Sequence, residues 1–157
     1  MNNLQYKLNN VMNELQTWFT LNSLVVNVEK TLALFFHTAQ NKKPLLPHVI
    51  FEGRDIPYST ETKFLGLYIN ENLKWNSHIK YLSSKLNTSY YMISSLKNVM
   101  SPCVLRTIYF ACSHVHLRYG LTLWGGGPES LRIFQLQKKV IRIIGKAHRH
   151  ASCRNLF

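Results

Sequence analysis

Acidic residues are scarce in this sequence, and the scarcity excludes more than any single motif suggests. Asp55 is the only aspartate, and Glu14, Glu29, Glu52, Glu61, Glu71 and Glu129 are scattered along 157 residues. Two-metal phosphoryl transfer needs carboxylates clustered tightly enough to hold two divalent ions a few ångströms apart. Only Glu52 and Asp55 stand close, with Glu61 the nearest third, and they flank Gly53-Arg54, where a solvated hairpin tip accounts for them. Long apolar runs are missing too: no window reaches the roughly 18 uncharged apolar residues that a membrane span requires. The start, Met1-Asn2-Asn3-Leu4-Gln5-Tyr6-Lys7, has no apolar run of the secretory kind. Cysteine is sparse: Cys103, Cys112 and Cys153 form no disulfide framework and suit a reducing compartment, cytoplasm or nucleus. Glycine supplies no phosphate loop, because Gly125 to Gly127 are followed by Pro128 and by no Lys or Thr.

What the chain has in excess is positive charge. Nineteen Lys and Arg against seven acids give a formal +12, a balance that favours a polyanionic partner, with nucleic acid ahead of an anionic membrane surface. Hydrophobic residues make up 46%, enough for a real core in a chain of one domain or one and a half.

The pattern predicts an α+β fold: an N-terminal helix plus a small antiparallel sheet, followed by a three-helix unit. Leu4, Leu8, Val11, Leu15 and Phe19 recur at helical spacing, with a turn near Thr20 to Ser23. Thr31 to Phe36 alternates like a strand, Asn41-Lys42-Lys43-Pro44 reads as a loop, and Gly53-Arg54 reads as a hairpin turn. Phe64 to Ile69 reads as one strand, with Gly66 marking a bulge or a close backbone approach. Trp75, Ile79, Leu82, Leu86, Tyr90, Ile93 and Leu96 form a long helical stripe, with Asn72 or Asn76 as its cap. Ser101-Pro102 opens a second helix, Trp124 to Pro128 is a loop, and a last helix runs from about Glu129 to Ile144. The expected divisions are 1–73, 74–146 and a basic tail, 147–157.

Candidate binding residues follow from these elements. Arg132, Gln135, Lys139, Arg142 and Lys146 are spaced by three and four, so they share one side of the last helix. A solvated face normally mixes charge signs, and no acid follows Glu129. Lys80 and Lys85, amid Tyr81, Tyr90 and Tyr91, form a second basic set, with Arg106, His114 and Arg118 on the next helix. Tyrosines among lysines can stack on bases, although amphipathic packing explains them as well. Zinc sites from His148, His150 and Cys153, or from His114 and His116, lack four ligands at structural spacing. Cys153 between His150 and Arg154 has no orienting group for nucleophilic catalysis. The expected metal complement and cofactor complement of this chain are therefore none.

In order, Leu15 to Trp18, Asn27 with Lys30-Thr31, Lys63 to Leu67, Leu73 to Ile79 with Lys85-Leu86, Tyr119-Gly120 with Trp124-Gly125, and Leu136 to Lys139 with Ile141-Arg142 resemble the reverse transcriptase of non-LTR retrotransposons. The resemblance covers nearly the whole chain and falls downstream of the catalytic aspartates. It implies a palm edge in 1–73 and a thumb in 74–146. It implies an auxiliary role for Lys30 in protonating leaving pyrophosphate, and a primer grip at Phe64, Leu65, Gly66 and Leu67. The family enzyme uses Mg2+, and its aspartate-bearing strand has no counterpart here. The resemblance therefore implies a fragment that holds RNA or an RNA–DNA duplex without copying it, with 151–157 reading as sequence cut short. Other expected partners are the polymerase remainder or another protein, through an exposed sheet edge. The alternative reading is a non-catalytic helical protein-interaction module.

Overall fold

A computed structural model describes residues 2–38, 40, 45–154 and 156. The loop read at Asn41-Lys42-Lys43-Pro44 lies outside the described residues, as do Asn155 and Phe157 of the C-terminal segment. The architecture is α+β and divides into two compact units, Met1–Leu73 and Lys74–Phe157.

The first unit opens with α1, Asn2–Leu21. Gln5 ties this helix to the chain entering the sheet, because its side-chain amide donates to His48 O (2.8 Å) and accepts from His48 N (3.0 Å). Beneath α1 lies a core of Val49, Phe51 and Ile56, packed by Leu8, Met12 and Phe19. The expected stripe is wider than this core. Leu4, Val11 and Leu15 remain exposed, since the partners of α1 are short elements such as strand β2, Ile50–Phe51.

Among the described residues the strands form three separate pairs and no continuous sheet. The stretch read as a strand from Thr31 to Phe36 contracts to β1, Ala33–Leu34, which pairs in parallel with β4, Tyr58–Ser59. Strand β2 pairs antiparallel with β3, Arg54–Asp55, around a tip made of Glu52 and Gly53. The turn is one residue earlier than expected because both tip residues take positive φ, 50° and 73°, as a two-residue hairpin requires. Phe64 to Ile69 is not one strand: β5, Glu61–Phe64, folds back on β6, Leu67–Asn70. Leu65 (φ 46°) and Gly66 (φ 85°) form this tip, so Gly66 marks a reversal and not a bulge.

In the second unit, α2 (Asn76–Leu96) buries Ile79, Leu82, Leu86 and Ile93, following the expected stripe. Asn76 is its first helical residue, and Trp75 precedes it with no side-chain cap. Ser101 accepts from Val104 N to cap α3, Pro102–Tyr109, with Pro102 in the first turn. A π-helical segment, Phe110–His114, joins α3 to α4, Val115–Arg118. Such segments leave carbonyls without regular partners, and here the Ser89 hydroxyl lies 3.2 Å from Cys112 O. The stretch read as a loop at Trp124 begins as a helical turn, α5, Leu121–Trp124. Trp124 is buried and its indole N–H donates to Tyr119 O (2.9 Å). The last helix, α6, spans Ser130–Ile144. Ile93, Leu105, Tyr109 and Val140 lock α2, α3 and α6 together.

His78 is buried among the rings of Trp75, Tyr81 and Trp124, with centroids 5.9–6.3 Å away. Among the described residues neither ring nitrogen has a hydrogen-bond partner, and burial lowers its pKa from the ordinary 6.5. The unfolded chain therefore takes up this proton as pH falls through about 6.5, before the folded chain does. His78's contribution is complete above that value and is lost progressively as pH falls toward the depressed folded pKa. The urea midpoint followed by tryptophan fluorescence should fall between pH about 7.5 and about 5.5. His78→Leu should show a smaller fall; an equal fall in both proteins would contradict the assignment.

Candidate nucleic-acid interface

The charge is divided as sharply as the fold. Met1–Leu73 contains six Lys and Arg and six acids, whereas Lys74–Phe157 contains thirteen Lys and Arg with Glu129 as its sole acid. The whole formal +12 is thus carried by the second unit.

Within that unit α2 and α6 pack side by side in the same direction, beginning near Lys80 and Arg132 and finishing near Leu96 and Ile144. Their buried stripes face each other, so their polar edges meet along a groove. The wider part, about 1010 Å³, is lined by Asn87, Tyr90, Gln135, Lys138, Lys139, Arg142, Arg149 and His150, among others. A second recess of about 540 Å³ continues from Asn87 through Ser84 and Thr88 to Lys80, Tyr91 and Arg132. None of these Lys or Arg side chains pairs with an acid among the described residues. Such an array can neutralise successive phosphates, while Asn87 and the hydroxyls offer hydrogen bonds to phosphate or sugar.

Of the six expected binding residues, the groove brings together Lys80, Arg132, Lys139 and Arg142. Lys85 and Lys146 lie outside the described lining of both recesses. Five residues beyond Lys80, Lys85 points around the helix, its ammonium 5.8 Å from the Tyr81 ring centroid. Lys146 follows the helix end with φ 49°, so the helical spacing no longer governs its direction. Asn87 escaped the sequence reading, although Lys80, Ser84, Asn87 and Tyr91 repeat at four, three and four. Arg149 and Lys138 were missed for different reasons: one lies in the segment read as a solvated tail, and the other neighbours Lys139 off the chosen face.

That segment turns back on α6. Arg142 Nε donates to Ala151 O (2.9 Å), and Cys153 is buried with its Sγ 3.8 Å from Lys138 O. His148 and His150 are exposed, with ring centroids 6.0 Å apart. Among the described residues no group of three or more His, Cys, Asp or Glu could hold a metal ion.

In the first unit, the Leu65-Gly66 tip presents Phe64 and Leu65 to solvent, 60% and 72% exposed, while Leu67 is buried. Lys63 and Tyr68 face each other across the pair, ammonium 5.6 Å from the ring centroid. Lys30 ends a single 3-10 turn, Val28–Lys30, and its N–H donates to the Asn27 side chain (3.2 Å). Thr31 closes the same turn by donating its hydroxyl to Asn27 O (2.8 Å). This is the local reason for the Asn27-to-Thr31 pattern.

Three proteins of Drosophila melanogaster align with most of this chain. One, described as the probable RNA-directed DNA polymerase from transposon BS, is 26% identical over 142 residues, 87% of this chain. Its counterpart from the transposon X-element is 26% identical over 132 residues, 81% of this chain. The putative 115 kDa protein in type-1 retrotransposable element R1DM is 25% identical over 134 residues, 82% of this chain. The chain is similar to these retrotransposon proteins, two of them described as RNA-directed DNA polymerases. It spans only 16%, 14% and 12% of the lengths of those three relatives, in the order given. No family model matches the chain, and no solved structure matches it. Among the described residues no helix is long and apolar enough to cross a membrane.

Arg142 joins α6 to the segment after it, so its removal should loosen that segment. Arg142→Leu keeps the apolar stem and deletes the hydrogen bond. Thiol labelling of Cys153 should then accelerate about tenfold, as expected for a bond from a charged donor. Lys139→Leu should leave the rate unchanged; an Arg142→Leu rate equal to that of the parent chain would contradict the contact.

Proposed function

We propose that this chain is a nucleic-acid-holding portion of a reverse transcriptase, gripping RNA or an RNA–DNA duplex without catalysing synthesis alone. The observation that carries this reading is the groove between α2 and α6, whose Lys and Arg lack acidic partners among the described residues of a unit with one acid. Phosphates entering it would meet Lys80, Arg132, Lys139 and Arg149 without displacing any internal ion pair. Contacts of this kind are made mainly to phosphate and sugar, so the reading calls for shape and charge recognition.

Relatives named as RNA-directed DNA polymerases support the same reading. On it, the second unit acts as a thumb along the template–primer backbone, and the first as a palm edge. The exposed Phe64-Leu65-Gly66-Leu67 tip would then support a primer end, and Lys30 would serve chemistry only beside a metal centre supplied by other residues. The scattered carboxylates of this chain support the non-catalytic half of the proposal. Three cysteines without disulfides suit an intracellular setting, cytoplasm or nucleus. The rival reading, a helical module whose apolar stripes dock a partner protein, gains little from the Thr31 to Phe36 edge, because β1 is only two residues long.

Arg132→Glu combined with Lys139→Glu should weaken binding of an RNA–DNA duplex at low salt by at least about tenfold. The slope of log affinity against log salt should also fall by about 1–2. Fluorescence anisotropy across a salt series reads both quantities. Unchanged affinity and slope would remove the groove as the binding face.

A further inference from the structure

The other side of α6 carries a second groove, different in chemistry from the first. Its walls are α6 and the rod made by α3, the π-helical segment and α4. One part, about 600 Å³, is bordered by Arg106, Phe110, Ile141 and Ile144; the next, about 360 Å³, by Arg118, Leu131 and Phe134. His114 and Gln137 line both parts, so they mark the midpoint of one trough. Leu131, Phe134 and Phe110 remain 65%, 44% and 43% exposed. An apolar surface left open inside a concave trough is a place for a partner.

The polar groups specify the occupant. Gln137 donates to Tyr109 Oη (2.8 Å), whereas His114 Nδ1 is buried and has no hydrogen-bond partner among the described residues. The π-helical segment sets the His114 ring 5.0 Å from that of Phe110, edge to face. Cations frame the trough: Arg106 lies 5.7 Å from the Phe110 ring centroid, and Arg118 borders the other part. Neither has an acidic partner among the described residues. A phosphate backbone would strand the apolar floor in water, and a flat bilayer could not enter between two helical walls. A cylinder with an apolar stripe and acidic flanks satisfies both surfaces. We propose that this trough binds an acidic amphipathic helix of a partner protein, its apolar stripe on Phe110 and Phe134 and its carboxylates on Arg106 and Arg118.

The test uses the full chain and three fluorescent helical peptides: a Glu/Leu amphipath, its Lys/Leu counterpart, and a Glu/Ser peptide of equal charge. Anisotropy should show saturable binding of the Glu/Leu peptide alone. Phe134→Ala and, separately, Arg106→Glu should each weaken it at least about fivefold, and Lys139→Glu should change it less than about twofold. Both trough variants should keep their affinity for an RNA–DNA duplex, which separates this inference from the cationic groove. Circular dichroism checks folding, and Arg106→Glu, at an exposed side chain, decides the outcome if Phe134→Ala unfolds. Equal binding of the Glu/Ser or Lys/Leu peptide would overturn the proposal. So would equal weakening by Lys139→Glu, or preference for phosphatidylserine vesicles that Phe134→Ala abolishes.

Discussion

The packing of α2 on α6 is the contact on which the second unit depends, because it fixes where every exposed side chain of both helices points. Ile93 and Val140 are wholly buried at this seam, with Leu105 and Tyr109 closing it from α3. Burial of each such aliphatic side chain stabilises the fold by roughly 1.5–3 kcal/mol. Against this stands the mutual repulsion of thirteen cations attended by one acid. The repulsion is tolerable because most of those charges lie in water, where salt screens them beyond about a Debye length of 10 Å. The apolar seam thus holds unpaired charge along one edge and leaves an apolar trough on the other.

The contrast with the first unit has a functional meaning. Its six cations and six acids cancel, its core rests on Val49, Phe51 and Ile56, and much of α1 is open to solvent. A polyanion approaching the chain is attracted by one unit and not by the other. Hairpin tips such as Leu65-Gly66 contribute shape and exposed apolar surface, not charge. The related Drosophila proteins are six to eight times longer than the stretch they share with this chain, as their 12–16% coverage implies.

Helices were legible where period and punctuation agreed. The α2 stripe, the Ser101-Pro102 start and the Gly145 end of α6 are all local signals, and the structure follows them. The hairpins were harder. Leu65 and Glu52 adopt positive φ, which neither residue favours, so the reversal shows only through the glycine that follows each. Trp124 beside three glycines looked like loop sequence, yet burial against His78 governs its position. The π-helical segment leaves no compositional trace, and the trough it shapes was invisible for that reason. Along the α2–α6 groove, helical spacing found Arg132, Lys139 and Arg142 but overran the helix end at Lys146.

The central claim is that unopposed cations along the α2–α6 groove hold the nucleic acid. Lysine footprinting with an amine-reactive acylating reagent, with and without an RNA–DNA duplex, tests it most directly. Lys80 and Lys139 should become strongly protected while Lys7 on α1 keeps its reactivity. Protection of all three to the same degree, or of Lys7 alone, would contradict the account.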